Sequence, residues 1–557
     1  RSWPRRLVFS SSTTNNTAKM SAQTQTIDQV LDTIPLRYRG PGGAAVIVKN
    51  GEVIGQRVWG YADQSRRIPV EPSTQFPICS ITKQFVCGLM MDLHRDPTHA
   101  MAAKGDVQSQ FVEKLHELLP MAREKGLTLQ NLCDMQSGIR DYWAMTTLWG
   151  AKPDDKFLID RDCPPMLGRT KSLHFEPGTE YSYSNVNFYL LGRIIERVTG
   201  EPLGKLLEER ILKPAGMTTA LLCPNTAHHP PPCVGYEGDE NHGFSDAVNR
   251  MEWSGDAGLV ASLNDMIAYE KYLDRLYADP QSWYHTATRP QTFTDGATAR
   301  YHYGLGHVDV NGIDSIGHGG ALRGYRLHRR HVPEEHLSVV VLFNHEADAS
   351  AAVNDIIQGV LNRPTPETAP VEPPADWYGV FLDQATQLAV TVAKSSRPGE
   401  VLITYGVHLE SAPLKLTDAK NGKARSMTGS IDGDILRIHR ISENRKLEAR
   451  RLTPRETSLK ESALPGEYYC AEVDSTFHCT GGAGLLYGYF DGYLGQGIVT
   501  PMRYLGDDVW ALSCPRGLDA PAPGDWTVVI HRDESGSIVG FKIGCWLARG
   551  LDFVKRQ

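Results

Sequence analysis

Three short motifs in this chain carry side chains able to perform acyl transfer. The first is FPICSITKQF, residues 76–85, in which Ser80 and Lys83 stand three apart at the head of an apolar run. Three residues is close to one helical turn, so the two side chains share a face. A serine hydroxyl is a weak nucleophile until a neighbour takes its proton. A buried lysine can take part, because burial disfavours its charged form and lowers its pKa. Ser80 in the first turn of a helix also lies among unpaired backbone N–H groups, which favour developing negative charge.

The second motif is Tyr183-Ser184-Asn185 in HFEPGTEYSYSNVNFYLLG, a loop that runs into a helix. Beside a lysine cation, Tyr183 is expected to have a lowered pKa and to serve as base. Asn185 has an amide suited to holding Lys83 and the substrate amide. The third is His318-Gly319-Gly320, followed by Ala321, in IGHGGALRGY. On a strand, the glycines would let a substrate backbone approach closely. An Ala321 N–H opposite that of Ser80 would complete a two-donor oxyanion hole. Each motif also has a plain reading: a helix start with a solvated lysine, a Tyr in a turn, a tight turn with a surface histidine.

These residues need a scaffold. IDQVLDTIPLRY (27–38) has helical periodicity, and AAVIVKNGEVIGQRVWG reads as two strands around an Asn50-Gly51 turn. VNFYLLGRIIERVTG reads as a helix ended by Gly200, and LSVVVLFNHE as a buried strand. Strands at both ends with helices between predict an α+β domain over 27–361 around one antiparallel sheet. Proline-rich 362–376 reads as a linker. Short alternating runs then fill 377–453 and 465–557, separated by a linker at 454–464, and predict two all-β units, each a barrel or a sandwich. Both units open on an aromatic-glycine motif, which suggests a diverged repeat.

Composition narrows the class. The 557 residues include 58 Lys and Arg against 65 Asp and Glu, a net charge of -7 with the basic residues scattered. That argues against a nucleic-acid or membrane-surface partner, and no run of about 18 apolar residues is present to span a bilayer. Ten cysteines include no C-x-x-C pair, and a chain this long folds without disulfides, so reduced thiols are expected. HHPPPC at 228–233 lacks a matching ligand set and reads as a loop; no metal or cofactor is expected. Residues 1–26 contain no acid and no apolar signal core, and read as a disordered leader. A cytoplasmic location follows, or a mitochondrial one if the leader is a transit peptide.

Taken together, S-x-x-K, Y-S-N and H-G-G, separated by about 100 and then about 135 residues, resemble the serine β-lactamase and penicillin-binding superfamily. The flanking MQSGIRDYW, FEPGTEYSYSN and DAGLVASLNDMIAYE resemble its class C and D,D-carboxypeptidase branch. The two β units, with DVWAL and GCWLARGLDF near the end, resemble the D-aminopeptidases of the serine peptidase S12 family. This resemblance implies a β-lactamase-like catalytic domain followed by two antiparallel β-barrels, a small D-aminoacyl peptide, amide or ester as substrate, and a homodimer. It implies Ser80 as nucleophile with Lys83, Tyr183 and His318, and Asn185, Gly319, Gly320 and Ala321 in substrate binding. It further implies that the loop PRGLDAPAPG, 515–524, enters the active site and sets Asp519 against the substrate ammonium. Where many members of the superfamily have lysine, this chain has His318, as some carboxypeptidases do, which weakens attraction for a substrate carboxylate. A β-lactamase, D,D-carboxypeptidase or esterase on the same scaffold is the alternative, and a non-catalytic binding protein that kept the fold is a further one.

Overall fold

The computed structural model describes residues 25–365, 369–404, 412–454, 463–513, 518 and 524–557. The leader up to residue 24 lies outside them, as does Asp519. Thr26, assigned to the leader from sequence, belongs to the fold. Its side chain accepts from the Gln29 N–H and caps α1 (Ile27–Arg37), while the Gln29 side chain returns to the Thr26 N–H.

Asn50 and Gly51 take positive φ of 51° and 76°. Asparagine and glycine tolerate that region best, and the turn folds β1 (Gly42–Lys49) back against β2 (Glu52–Asp63). These strands join β3 (Ile68–Pro69), β4 (Tyr301–His302), β5 (Leu305–Asp309), β6 (Asp314–Leu322), β7 (Tyr325–Val332) and β8 (Leu337–Phe343) in one antiparallel sheet. Its order is β4-β5-β6-β7-β8-β1-β2-β3, so strands from the two ends of the domain pair at its centre, with Gly43 opposite Phe343.

Alternation along β1 serves two cores. Ala45 and Ile47 pack with α1 and with α5 (Ala349–Val360) on one face. Ala44, Val46 and Val48 belong to the larger core on the other face, which includes α2 (Thr82–Arg95), α3 (Asn185–Thr199) and α4 (Leu263–Ala278). α3 ends at Gly200, whose φ of 75° gives the left-handed cap that its sequence predicts.

Eight strands between Gly379 and Arg451 close into a barrel. Eight more between Gly466 and Lys555 close into a second, whose ring is completed by the pairing of Ser475–Gly482 with Leu485–Gly492; the short strand Gly495–Gln496 hangs from it. The choice between barrel and sandwich is thus settled for both units. They touch through Leu382, Leu452, Leu505, Val509 and Ala511.

Both barrels also grip the catalytic domain. Glu180, three residues before Tyr183, pairs with Arg445 of the first barrel at 2.7 Å and with Arg549 of the second at 3.0 Å. All three units therefore converge on the segment that carries the second motif.

Candidate active site

Ser80 lies in a single 3-10 turn, Cys79–Ile81, that leads directly into α2. Cys79 adopts a φ of 52°, an uncommon conformation for a residue with a Cβ. β6 crosses close behind this turn. A side chain at Gly320 would meet the Ile78 carbonyl oxygen at 2.3 Å, so only glycine allows the contact.

Lys83 is 0% exposed and its Nζ makes three hydrogen bonds. It lies 2.9 Å from Ser80 Oγ, 2.8 Å from Asn185 Oδ1 and 2.6 Å from the Asp256 carbonyl oxygen. Two of these atoms can only accept. A neutral amine has two N–H donors for them, which leaves its lone pair facing the Ser80 hydroxyl. Burial pushes the Lys83 pKa down to about 8, opposed by the charges of Asp256 and Asp141. The neutral amine is therefore accessible near physiological pH.

Asn185 is held from behind. Its backbone N–H donates to Asp141 Oδ1 at 2.7 Å, and its side-chain amide to the same oxygen at 3.2 Å. Burial raises the Asp141 pKa to about 7, with the Asn185 backbone bond and Lys83 pulling the other way. The Asp141 backbone N–H in turn donates to the Leu547 carbonyl at 3.0 Å. Leu547 sits in the tight turn between strands Ile538–Cys545 and Ala548–Lys555 of the second barrel. Next to it, Arg140 Nε donates to the Arg549 carbonyl at 2.9 Å. Asp256 accepts from the Tyr142 hydroxyl at 2.7 Å and from the Ser254 N–H at 2.8 Å.

Tyr183 is where the structure corrects the sequence reading. It stands in the site, with Lys83 Nζ 4.9 Å from its ring centroid and the His318 ring centroid 6.2 Å away. Its pKa is raised well above the ordinary value, not lowered: burial dominates, and a hydrogen bond with Ser80 only partly offsets it. Lys83 lies against the ring face and its donors are spent on other acceptors, so little of its charge reaches the phenol oxygen. Tyr183 is a neutral phenol at rest.

His318 is neutral too. Its pKa falls to about 3, first from burial and then from the Lys83 charge. The Gly319 carbonyl, 2.6 Å from Nδ1, can only accept, which places the proton on Nδ1. Nε2 then accepts from the Tyr301 hydroxyl at 2.9 Å.

The glycines of the third motif also differ from expectation. The place of a Gly319 side chain is filled by His328 Nδ1, at 2.8 Å, on the far side of the sheet. Packing within the protein, and not substrate approach, demands glycine at 319 and 320. Substrate can still reach backbone, because β5 pairs with β6 only over Asp314–Gly317. Residues 318–322 present their other edge unpaired among the described residues.

The structure thus gathers Ser80, Lys83, Tyr183, Asn185 and His318, with Gly320 and Ala321 on the strand beside them. Sequence reasoning did not find Tyr142, Tyr301 or the Leu547 turn. DYW in MQSGIRDYW, at 141–143, was the one local signal for Tyr142.

Residues 24–361 match the β-lactamase family and residues 370–554 match domain B of D-aminopeptidase. A D-aminopeptidase of Cereibacter sphaeroides (strain KD131 / KCTC 12085) is 40% identical over 538 residues, covering 96% of this chain and 100% of that one. The chain belongs to the D-aminopeptidase family. A second member, from Brucella melitensis biotype 2, is 38% identical over 530 residues, covering 95% of this chain and 98% of its own. Among solved structures, the octameric penicillin-binding protein homologue from Pyrococcus abyssi aligns over 76% of this chain and 99% of its own, with 18% identity and a TM-score of 0.49. No helix among the described residues is long and apolar enough to cross a membrane.

Proposed function

We propose that this chain is a serine hydrolase that releases an N-terminal D-amino acid from small peptides, amides or esters through an acyl-enzyme on Ser80. Family membership over nearly the whole chain, both barrels included, supports the activity and its handedness. The observation that carries the mechanism is the three-point grip on Lys83, whose Nζ lies 2.9 Å from Ser80 Oγ.

Lys83 takes the Ser80 proton as Oγ attacks the substrate carbonyl. The backbone N–H groups of Ser80 and Ala321 hold the oxyanion. Tyr183, protonated at rest, gives its proton to the leaving nitrogen and is restored from the Lys83 ammonium by way of Ser80 Oγ, which both groups reach. Water then enters by the reverse sequence and frees the acid. Asn185 fixes the amine, and neutral His318 adds no positive charge that would favour a carboxylate over an amino end.

A free ammonium needs a counter-charge. Asp141 and Asp256 are fully buried and committed to Asn185 and Tyr142. We assign the ammonium to Asp519. We place the enzyme in the cytoplasm, where unpaired buried thiols such as Cys79, Cys87 and Cys133 persist, and propose a homodimer, to be read by light scattering as twice the chain mass.

A burst assay with D- and L-alanine p-nitroanilides tests the function. A burst on the D-substrate that is absent in Ser80→Ala is expected. Asp519→Asn should lower kcat/KM on the free-amine substrate by about 30-fold, the cost of removing one partner of a desolvated charge pair, and leave an uncharged ester of similar size nearly unaffected. A burst that persists without Ser80, or a preference for the L-form, would overturn the proposal.

A further inference from the structure

Arg330 of β7 is a buried cation without a counter-charge among the described residues. It is 3% exposed. In register it stands opposite Gly317 of β6, one residue from the His318–Arg329 pair. Neighbouring residues on a strand point to opposite faces. Arg329 reaches Glu270 and Gln84 on the helical side, so Arg330 points to the other side, away from Ser80.

Its partners there are uncharged. Nη1 donates to Ser315 Oγ at a long 3.3 Å, and Nη2 to His328 Nε2 at 2.9 Å. Nε is buried and has no hydrogen-bond partner among the described residues. The charges that bear on Arg330 are Arg425, from the first barrel, and Arg329, both cations; burial and these two pull its pKa down to about 9. His328, accepting at Nε2, has its proton on Nδ1 and is neutral, held so by burial and by Arg330. No carboxylate among the described residues bonds to Arg330. A buried charge left unpaired is costly, and an orphaned buried donor in a native protein points to an unseen water or ion.

We propose that Arg330, with His328 and Ser315 on the back of the His318 strand and the Arg425 charge of the first barrel close enough to bear on it, binds a small monovalent anion. The anion accepts from Arg330 Nε and offsets its charge together with that of Arg425, which the Asp309 carboxylate already partly compensates. It thereby fastens the first barrel to the strand that carries His318 and Ala321. Because the site is on the opposite face of the sheet from Ser80, the anion is a structural ligand and not a substrate group.

Crystals of the full chain grown in sodium bromide, with anomalous data, test this directly. An anomalous peak within hydrogen-bonding reach of Arg330 Nε is expected, absent in Arg330→Met. In solution, chloride should raise the melting midpoint saturably, while gluconate at equal ionic strength should not. Arg330→Met should lose that shift, and Arg425→Met, an exposed position, should raise the half-saturating chloride several-fold. If Arg330→Met does not fold, Arg425→Met and the wild-type bromide map still decide. Water or a carboxylate of the chain itself at Nε, or equal responses to chloride and gluconate, would overturn the proposal. So would a bromide peak with no melting response, which marks an adventitious ion only.

Discussion

Lys83 and Arg329 are both fully buried cations of the catalytic domain, and both engage α2. Arg329 is gripped by the Glu270 carboxylate through two hydrogen bonds, of 2.6 and 2.7 Å. Burial is the largest single influence and pulls its pKa down, but the Glu270 charge and hydrogen bond, with Tyr284 and Tyr269, together outweigh it and the result lies above the ordinary value. Lys83 has no carboxylate oxygen among its three hydrogen-bond partners, and burial prevails. Equal burial therefore gives opposite proton affinities. A directly paired cation is a strut that holds β7 to α4. A cation held by neutral acceptors, with carboxylates one step back, is ready to give up its proton.

Removing each group should separate the two roles. Lys83→Met should reduce acylation by about 10⁴-fold or more, as loss of a member of a nucleophile–base pair does, measured as the p-nitroaniline burst rate. It should cost less stability than the next variant. Glu270→Gln leaves a buried guanidinium without its counter-charge and should lower stability by about 3–5 kcal/mol in urea denaturation, with kcat of the folded enzyme within a few-fold of wild type. If Glu270→Gln instead abolished turnover while stability held, Arg329 would belong to the chemistry and the contrast would fail. Tyr183→Phe comes next, with a loss of about 100-fold in the chemical step and little change in KM. A change confined to KM would make Tyr183 a binding residue only.

Sequence showed the members of this site better than their states. Asn50-Gly51 and Gly200 were legible because turn and cap chemistry are local. Ser80, Lys83, Tyr183, Asn185 and His318 were legible because their residue types and order resemble those of a known superfamily. The Leu547–Asp141 contact was not, because it joins residues 406 positions apart across two units. The direction of the Tyr183 shift was misread for a related reason. The sequence puts a lysine near a tyrosine, but only packing reveals that the ammonium faces the ring and that burial dominates. Gly319 was read as making room for substrate, whereas the room is taken by His328, whose register opposite Gly319 is a property of the assembled sheet.

The pH dependence of the acylation rate, followed by stopped-flow at saturating D-alanine p-nitroanilide, bears most directly on Lys83 as the base. The amine acts when deprotonated, so activity is lost as pH falls below its pKa of about 8. The rate should rise about tenfold per pH unit below that point and level off above it. A rate that is flat from pH 7 to 9, or one still climbing past pH 10 as a phenol base with a raised pKa would require, would contradict the assignment of Lys83 as the group that takes the Ser80 proton.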